Sequence, residues 1–159
     1  MKMAISWGLI FLATIAAVGL WDDTSRAFSP QQSVLEDGAR IEVPRDPTGH
    51  FNRVVEVNGV PVDFLVDTGA TDIVLTMQDA ARVGLDPRNL AFIGRARTAN
   101  GTVSTASARV DSQSLGRLNF QNTRVSVNGG EMDQSLLGMT FLSQIGRLEI
   151  RDNMLILEP

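Results

Sequence analysis

The stretch of this chain best equipped for chemistry runs from Phe64 to Leu75 and reads FLVDTGATDIVL. One carboxylate, Asp67, closes an apolar run, and a second apolar run, Ile73 to Leu75, follows within a few residues. A carboxylate in such a setting is costly unless hydrogen bonds or partners satisfy it. The residues after it are suited to that task. Thr68 offers a hydroxyl. Gly69 has no Cβ, so backbone can approach the acid closely. Acids held among apolar residues are candidate catalytic groups.

The rest of the composition removes competing chemistries. The 159 residues include no cysteine, which excludes disulfide frameworks, cysteine-based zinc sites and thiol catalysis. His50 is the only histidine, so zinc-protease motifs that need two are absent. A Ser-His-Asp triad would have to pass through His50, and no Gly-x-Ser-x-Gly elbow is present. The net charge is -4 with no basic cluster, which argues against a nucleic-acid partner. No glycine-rich phosphate loop is found. Neither a metal nor an organic cofactor is implied.

The elements that must position Asp67 are mostly short strands. Phe51 to Val57 and Val60 to Val66 flank Asn58-Gly59, a two-residue hairpin signal. In the second strand Val60, Val62, Phe64 and Val66 share one face. Thr76 to Val83 reads as a short helix, with Thr76 as N-cap, Asp79 three residues on and Gly84 near its stop. Phe92 to Thr98 and Thr102 to Val110 meet at Asn100-Gly101 as a second hairpin. Leu118 to Val127 is a strand or a pair of strands. Met139 to Ile145 reads as a short helix stopped by Gly146. Arg147 to Ile150 and Met154 to Leu157 form a last hairpin around Asp152-Asn153. Many short strands with only two short helices indicate a small, closed all-β barrel.

Ahead of this domain, Met3 to Trp21 is uncharged and mostly apolar, close to the roughly 20 residues that span a bilayer as a helix. Lys2 precedes the run, and Asp22 and Asp23 follow it. That asymmetry favours a cytoplasmic N-terminus and a domain on the periplasmic or other extracytoplasmic side. The organisation expected is a transmembrane anchor or signal segment over 1–21, a polar tether over 22–38 and the β-domain over 39–159. Ser25-Arg26-Ala27 offers a cleavage site for the signal-peptide alternative.

Three features in order now carry a resemblance. Asp67-Thr68-Gly69-Ala70 follows a hairpin strand. A hairpin with Asn100-Gly101 at its tip comes some way downstream. Leu136-Leu137-Gly138 then precedes a short helix and a terminal strand. Over Arg40 to Pro159 this order resembles the retropepsin family of aspartic proteases, and most closely its bacterial, membrane-anchored members. The resemblance implies a retropepsin-like barrel and an endopeptidase that hydrolyses peptide bonds in polypeptide substrates. It implies Asp67 as the catalytic acid and Thr68, Gly69 and Ala70 as its supporting loop. It implies Asn100 and Gly101 at the tip of a flap over the substrate, and Leu136, Leu137 and Gly138 as the turn behind the active-site loop. Met139-Thr140 stand where retroviral members carry an arginine.

The family mechanism needs two acids sharing one proton. Only one Asp-Thr-Gly is present, so the resemblance implies a homodimer in which a second copy supplies the second acid. The terminal strand Leu155 to Glu158 is a candidate for an intersubunit sheet. Asp63 and Asp72 read as solvated surface acids, His50 as an exposed loop residue, and Leu136 and Leu137 as core. The alternative function is a catalytically idle peptide-binding or dimerisation module at the membrane, with Asp67 serving only its turn.

Overall fold

A computed structural model describes residues 40–98 and 101–159. The expected anchor, the tether and Asn100 lie outside these residues. Among the described residues, no helix is long and apolar enough to cross a membrane.

Strands β2 (Asn52–Val57) and β3 (Val60–Val66) form the expected antiparallel hairpin. Asn58 and Gly59 make its turn with φ of 51° and 75°. Two successive positive φ values match the right-handed twist of the strands they join. The Asn58 side chain also clamps the surroundings. Its Oδ1 accepts the N–H groups of Asp111 and Ser112, and its Nδ2 donates to the Val83 carbonyl at 2.9 Å. One turn residue thereby ties β2 and β3 to a long strand and to the end of a helix.

After the Asp67 loop come β4 (Ile73–Leu75) and α1 (Met77–Arg82). Thr76 caps α1 as expected, its hydroxyl accepting the Asp79 N–H at 3.0 Å. A single 3₁₀ turn, Pro87–Asn89, leads to the hairpin of β5 (Gly94–Thr98) and β6 (Gly101–Leu115). The chain returns along β7 (Leu118–Asn128), one unbroken strand. It then forms β8 (Ser135–Leu137) and α2 (Met139–Leu142). Helix α2 is shorter than expected, with Ser143 as its C-cap.

The strand order β2-β3-β8-β4-β7-β6 closes on itself because β2 also pairs with β6, Val57 lying opposite Gln113. Six strands thus make a closed barrel, and β5 hangs from the outer half of β6. Phe64, Ile73, Leu75, Val110, Val127 and Leu137 are fully buried inside. Phe141 of α2 seals one side, meeting Phe120 edge-on at 5.0 Å between ring centroids.

A second sheet stands apart, in the order β1 (Ile41–Pro44), β10 (Met154–Glu158), β9 (Arg147–Arg151). Strand β10, the candidate for an intersubunit sheet, has both edges occupied by β1 and β9 of its own chain. Among the described residues, the unoccupied edges of this sheet belong to β1 and β9.

Candidate active site

Asp67 sits where β3 leaves the barrel. Leu65 and Val66 pair with Leu136 and Leu137 of β8 in parallel register. The Asp67 N–H then donates to the Leu137 carbonyl at 3.2 Å. The Ala70 N–H donates back to the Asp67 carbonyl, also at 3.2 Å, and turns the chain. Gly69 donates its N–H to Asp67 Oδ1 at 2.8 Å. A Cβ on Gly69 would lie 3.1 Å from that same oxygen, so the missing side chain is what lets backbone reach the acid. The loop presents Thr68 and Gly69 to solvent and holds Asp67 half-buried between them and the barrel.

The turn behind this loop is Gly138. A Cβ there would overlap the Asp72 carbonyl oxygen and lie 2.7 Å from that of Ala70. Its φ of -87° is ordinary, so glycine is required by space and not by backbone conformation. The start of α2 binds the loop from the same side. Met139 N–H donates to the Ala70 carbonyl at 2.9 Å. Thr140 gives both its N–H and its hydroxyl to the Thr71 carbonyl, each at 2.8 Å. Thr71 was not singled out from the sequence, and Thr140 only as a departure from the retroviral pattern, because a side chain bonding a distant carbonyl leaves no local pattern.

Strand alternation decides what lies beside the acid. Val62 and Phe64 point inward, so Asp63 and Leu65 take the outer face of β3, which continues to Asp67. Leu136 is the cross-strand neighbour of Leu65 and is half-buried on that face. This corrects the reading of Leu136 as core; Leu137 alone is buried. Leu65, Leu136 and Met132 line a cavity of about 330 Å³ whose rim includes His50, Asp46 and Asp133.

His50 and Asp72 are exposed, as expected. Gly101 is exposed at the start of β6 with φ of +121°, and its carbonyl accepts the Thr98 hydroxyl at 2.9 Å. Asn100 is outside the described residues. Among the described residues, no group of three or more histidine or acidic side chains is placed to hold a metal ion.

Asp79 is the hub of a polar network at the far end of the same outer face. It accepts hydrogen bonds from Ser135 Oγ at 2.7 Å and Thr76 Oγ1 at 3.1 Å, and pairs with Arg82 at 2.7 Å.

Comparison with known proteins places this geometry. Residues 54–144 match the family described as "gag-polyprotein putative aspartyl protease". A solved structure of a retropepsin-like aspartic protease from Rickettsia conorii is 36% identical, with a TM-score of 0.64, covering 74% of this chain and 87% of that one. The EIAV protease complexed with the inhibitor HBY-793 shares the fold at 24% identity and a TM-score of 0.54, covering 63% and 91%. An uncharacterised protein of Rickettsia prowazekii is 34% identical over 158 residues, covering 95% of this chain and 68% of that protein. Another, from Sinorhizobium, is 44% identical over 104 residues. That match covers 65% of this chain and 45% of the Sinorhizobium protein's length.

Asp63 generates a pH prediction. It is solvent-exposed at its edge, yet partial burial, and secondarily the Asp79 carboxylate, raise its carboxyl above the ordinary 3.8. A folded value above the unfolded one means stability present below the ordinary carboxylate range and lost as pH rises through the folded value. Asp63→Asn is therefore expected to raise Tm at neutral pH, by about a few degrees at most. The gap should close below pH 3.8. Thermal unfolding followed from acid to neutral pH checks this; a gap independent of pH contradicts it.

Proposed function

Because the chain belongs to the retropepsin-like aspartic protease family, we propose that it is an aspartic endopeptidase, active as a homodimer in which two copies of Asp67 form one site. The observation that carries this reading is a single Asp-Thr-Gly per chain, held on an exposed loop whose backbone already supports one carboxylate oxygen.

The chemistry follows from two identical acids brought together. Like charges in contact do not both ionise readily, so the pair holds one proton. The ionised Asp67 takes a proton from a water whose oxygen attacks the peptide carbonyl carbon. The protonated Asp67 gives its proton to the carbonyl oxygen. When the tetrahedral species collapses, the C–N bond breaks and the amine leaves with a proton passed from the pair. The substrate is an extended polypeptide. In this reading the cavity lined by Leu65, Met132 and Leu136 takes a substrate side chain, and the β5–β6 hairpin serves as the flap.

Asp67→Asn should lower peptide cleavage at least about a hundredfold, because it removes the general base and acid together. Thermal unfolding should be close to unchanged, since the amide oxygen can still accept the Gly69 N–H. A peptide-library assay on both proteins is the measurement. Full cleavage by Asp67→Asn at equal concentration would sink the assignment.

We further propose that 1–21 anchors the enzyme in a membrane and that the domain lies on the periplasmic side. Lys2 before the apolar run and Asp22-Asp23 after it support that orientation. In spheroplasts, added protease should digest the domain. Protection until the membrane is lysed would reverse the orientation.

A further inference from the structure

Strand register sets three residues in a row on the outer face of the barrel. Asn52 of β2 is the cross-strand partner of Leu65, and Leu65 is the partner of Leu136 in β8. Directly paired residues share a face. Asn52, Leu65 and Leu136 therefore stand side by side, and all three line the cavity of about 330 Å³. Asp67 follows Leu65 by two residues, about 7 Å along an extended strand. Met132 also lines this cavity. It belongs to residues 131–134, an irregular segment that leads into β8. Among the described residues, this segment makes one side-chain hydrogen bond to the rest of the chain. Gln134 Nε2 donates to Asn52 Oδ1 at 3.0 Å.

A second bond of Asn52 fixes the first. Its Nδ2 donates to Asp46 Oδ2 at 2.6 Å. Asp46 is itself held in a tight turn. Its Oδ1 accepts the Thr48 hydroxyl at 2.7 Å, the Thr48 N–H at 2.8 Å and the His50 N–H at 2.9 Å. The Thr48 hydroxyl, and after it the His50 N–H, hold the Asp46 carboxyl below the ordinary 3.8, so it is ionised at neutral pH. An ionised carboxylate only accepts. Asn52 must therefore turn its Nδ2 to Asp46 and its Oδ1 to Gln134. The segment needs this tie, because none of its four residues belongs to the hydrophobic core. Met132, Asp133 and Gln134 also line a second cavity of about 810 Å³, shared with Thr76, Met77 and Arg82. The segment is thus a partition with open space on either side.

We propose that Asn52 is a positioning residue: oriented by Asp46, it ties down Gln134, keeps Met132 at the wall of the smaller cavity, and so sets the size of the substrate side chain that the cavity admits. The inference rests on the reading of that cavity as a place for a substrate side chain. The direction of the effect follows from space. Leu65 and Leu136 are fixed in paired strands on one side, so a released segment moves toward the larger cavity. The smaller cavity then widens, and preference passes from small apolar side chains to bulky ones. The relay acts on the pocket and does not touch Asp67. Its loss therefore changes substrate binding more than the chemical step.

The test uses the full-length chain in detergent and a peptide library that varies each position from Val to Trp. The library is read by cleavage with Asp67 intact and by binding to the Asp67→Asn chain. Gln134→Met removes the donor, and Asn52→Leu removes both bonds. Thermal unfolding checks that each is folded, and Gln134→Met alone reads the tie if Asn52→Leu is not. Each variant should raise the preference for Phe over Val at one peptide position at least about fivefold. The change should lie in KM, with kcat within about twofold. The double variant should match either single one, because both cut the same tie, whereas two residues acting by separate contacts would add. An unchanged preference, or additive effects, overturns the inference. If cleavage still depends on Asp67 in that case, the enzyme reading stands without the relay. If preference shifts in binding while the native chain cleaves nothing, the relay stands and the enzyme reading fails. A chain that neither cleaves nor binds peptides overturns both.

Discussion

One close approach holds the site together. The loop from Asp67 to Asp72 lies against Gly138 so tightly that no side chain fits between them. Because the gap is closed by backbone, it is filled with hydrogen bonds. Ala70 and Thr71 carbonyls receive the N–H groups that open α2. An acid mounted on such a loop has little freedom, and the proposed pairing of two such acids needs that rigidity. Much of the barrel serves this contact. Strand β8 is only three residues long, yet it separates β3 from β4 and delivers Gly138 to the place where those strands diverge.

The closed barrel and the open sheet divide the work. In the barrel β2 bonds to β6, so its strand order has no free end except at the β5–β6 hairpin. A closed sheet is a poor surface for adding a second copy, since its edges are already paired. Among the described residues, the β1-β10-β9 sheet retains open edges. Its inward residues Ile41, Val43, Leu155 and Leu157 nonetheless belong to the same hydrophobic core as the barrel.

The loop chemistry was legible because Asp-Thr-Gly, Asn58-Gly59 and the Thr76 cap are local signals, each written within a few residues. The alternation of β2 and β3 was likewise readable, although its consequence was not. It places Arg53 on the inner face opposite Phe64, where the side chain is 4% exposed and burial lowers its proton affinity. Leu136 was misread because a two-residue apolar run does not say which leucine faces inward. Only the register with Leu65 decides it. The pairing of β1 with β10 escaped notice for a related reason. It joins residues more than a hundred positions apart, and no local periodicity records such a partner.

The most direct measurement of the two-acid account mixes native chain with Asp67→Asn chain, at constant total concentration, and lets the subunits exchange. If each site needs an intact Asp67 from both copies, activity follows the square of the native fraction. An equal mixture then retains about one quarter of full activity. If one chain suffices, activity falls in simple proportion and the equal mixture retains about one half. The quadratic curve is the result this account predicts, and a straight line would contradict it.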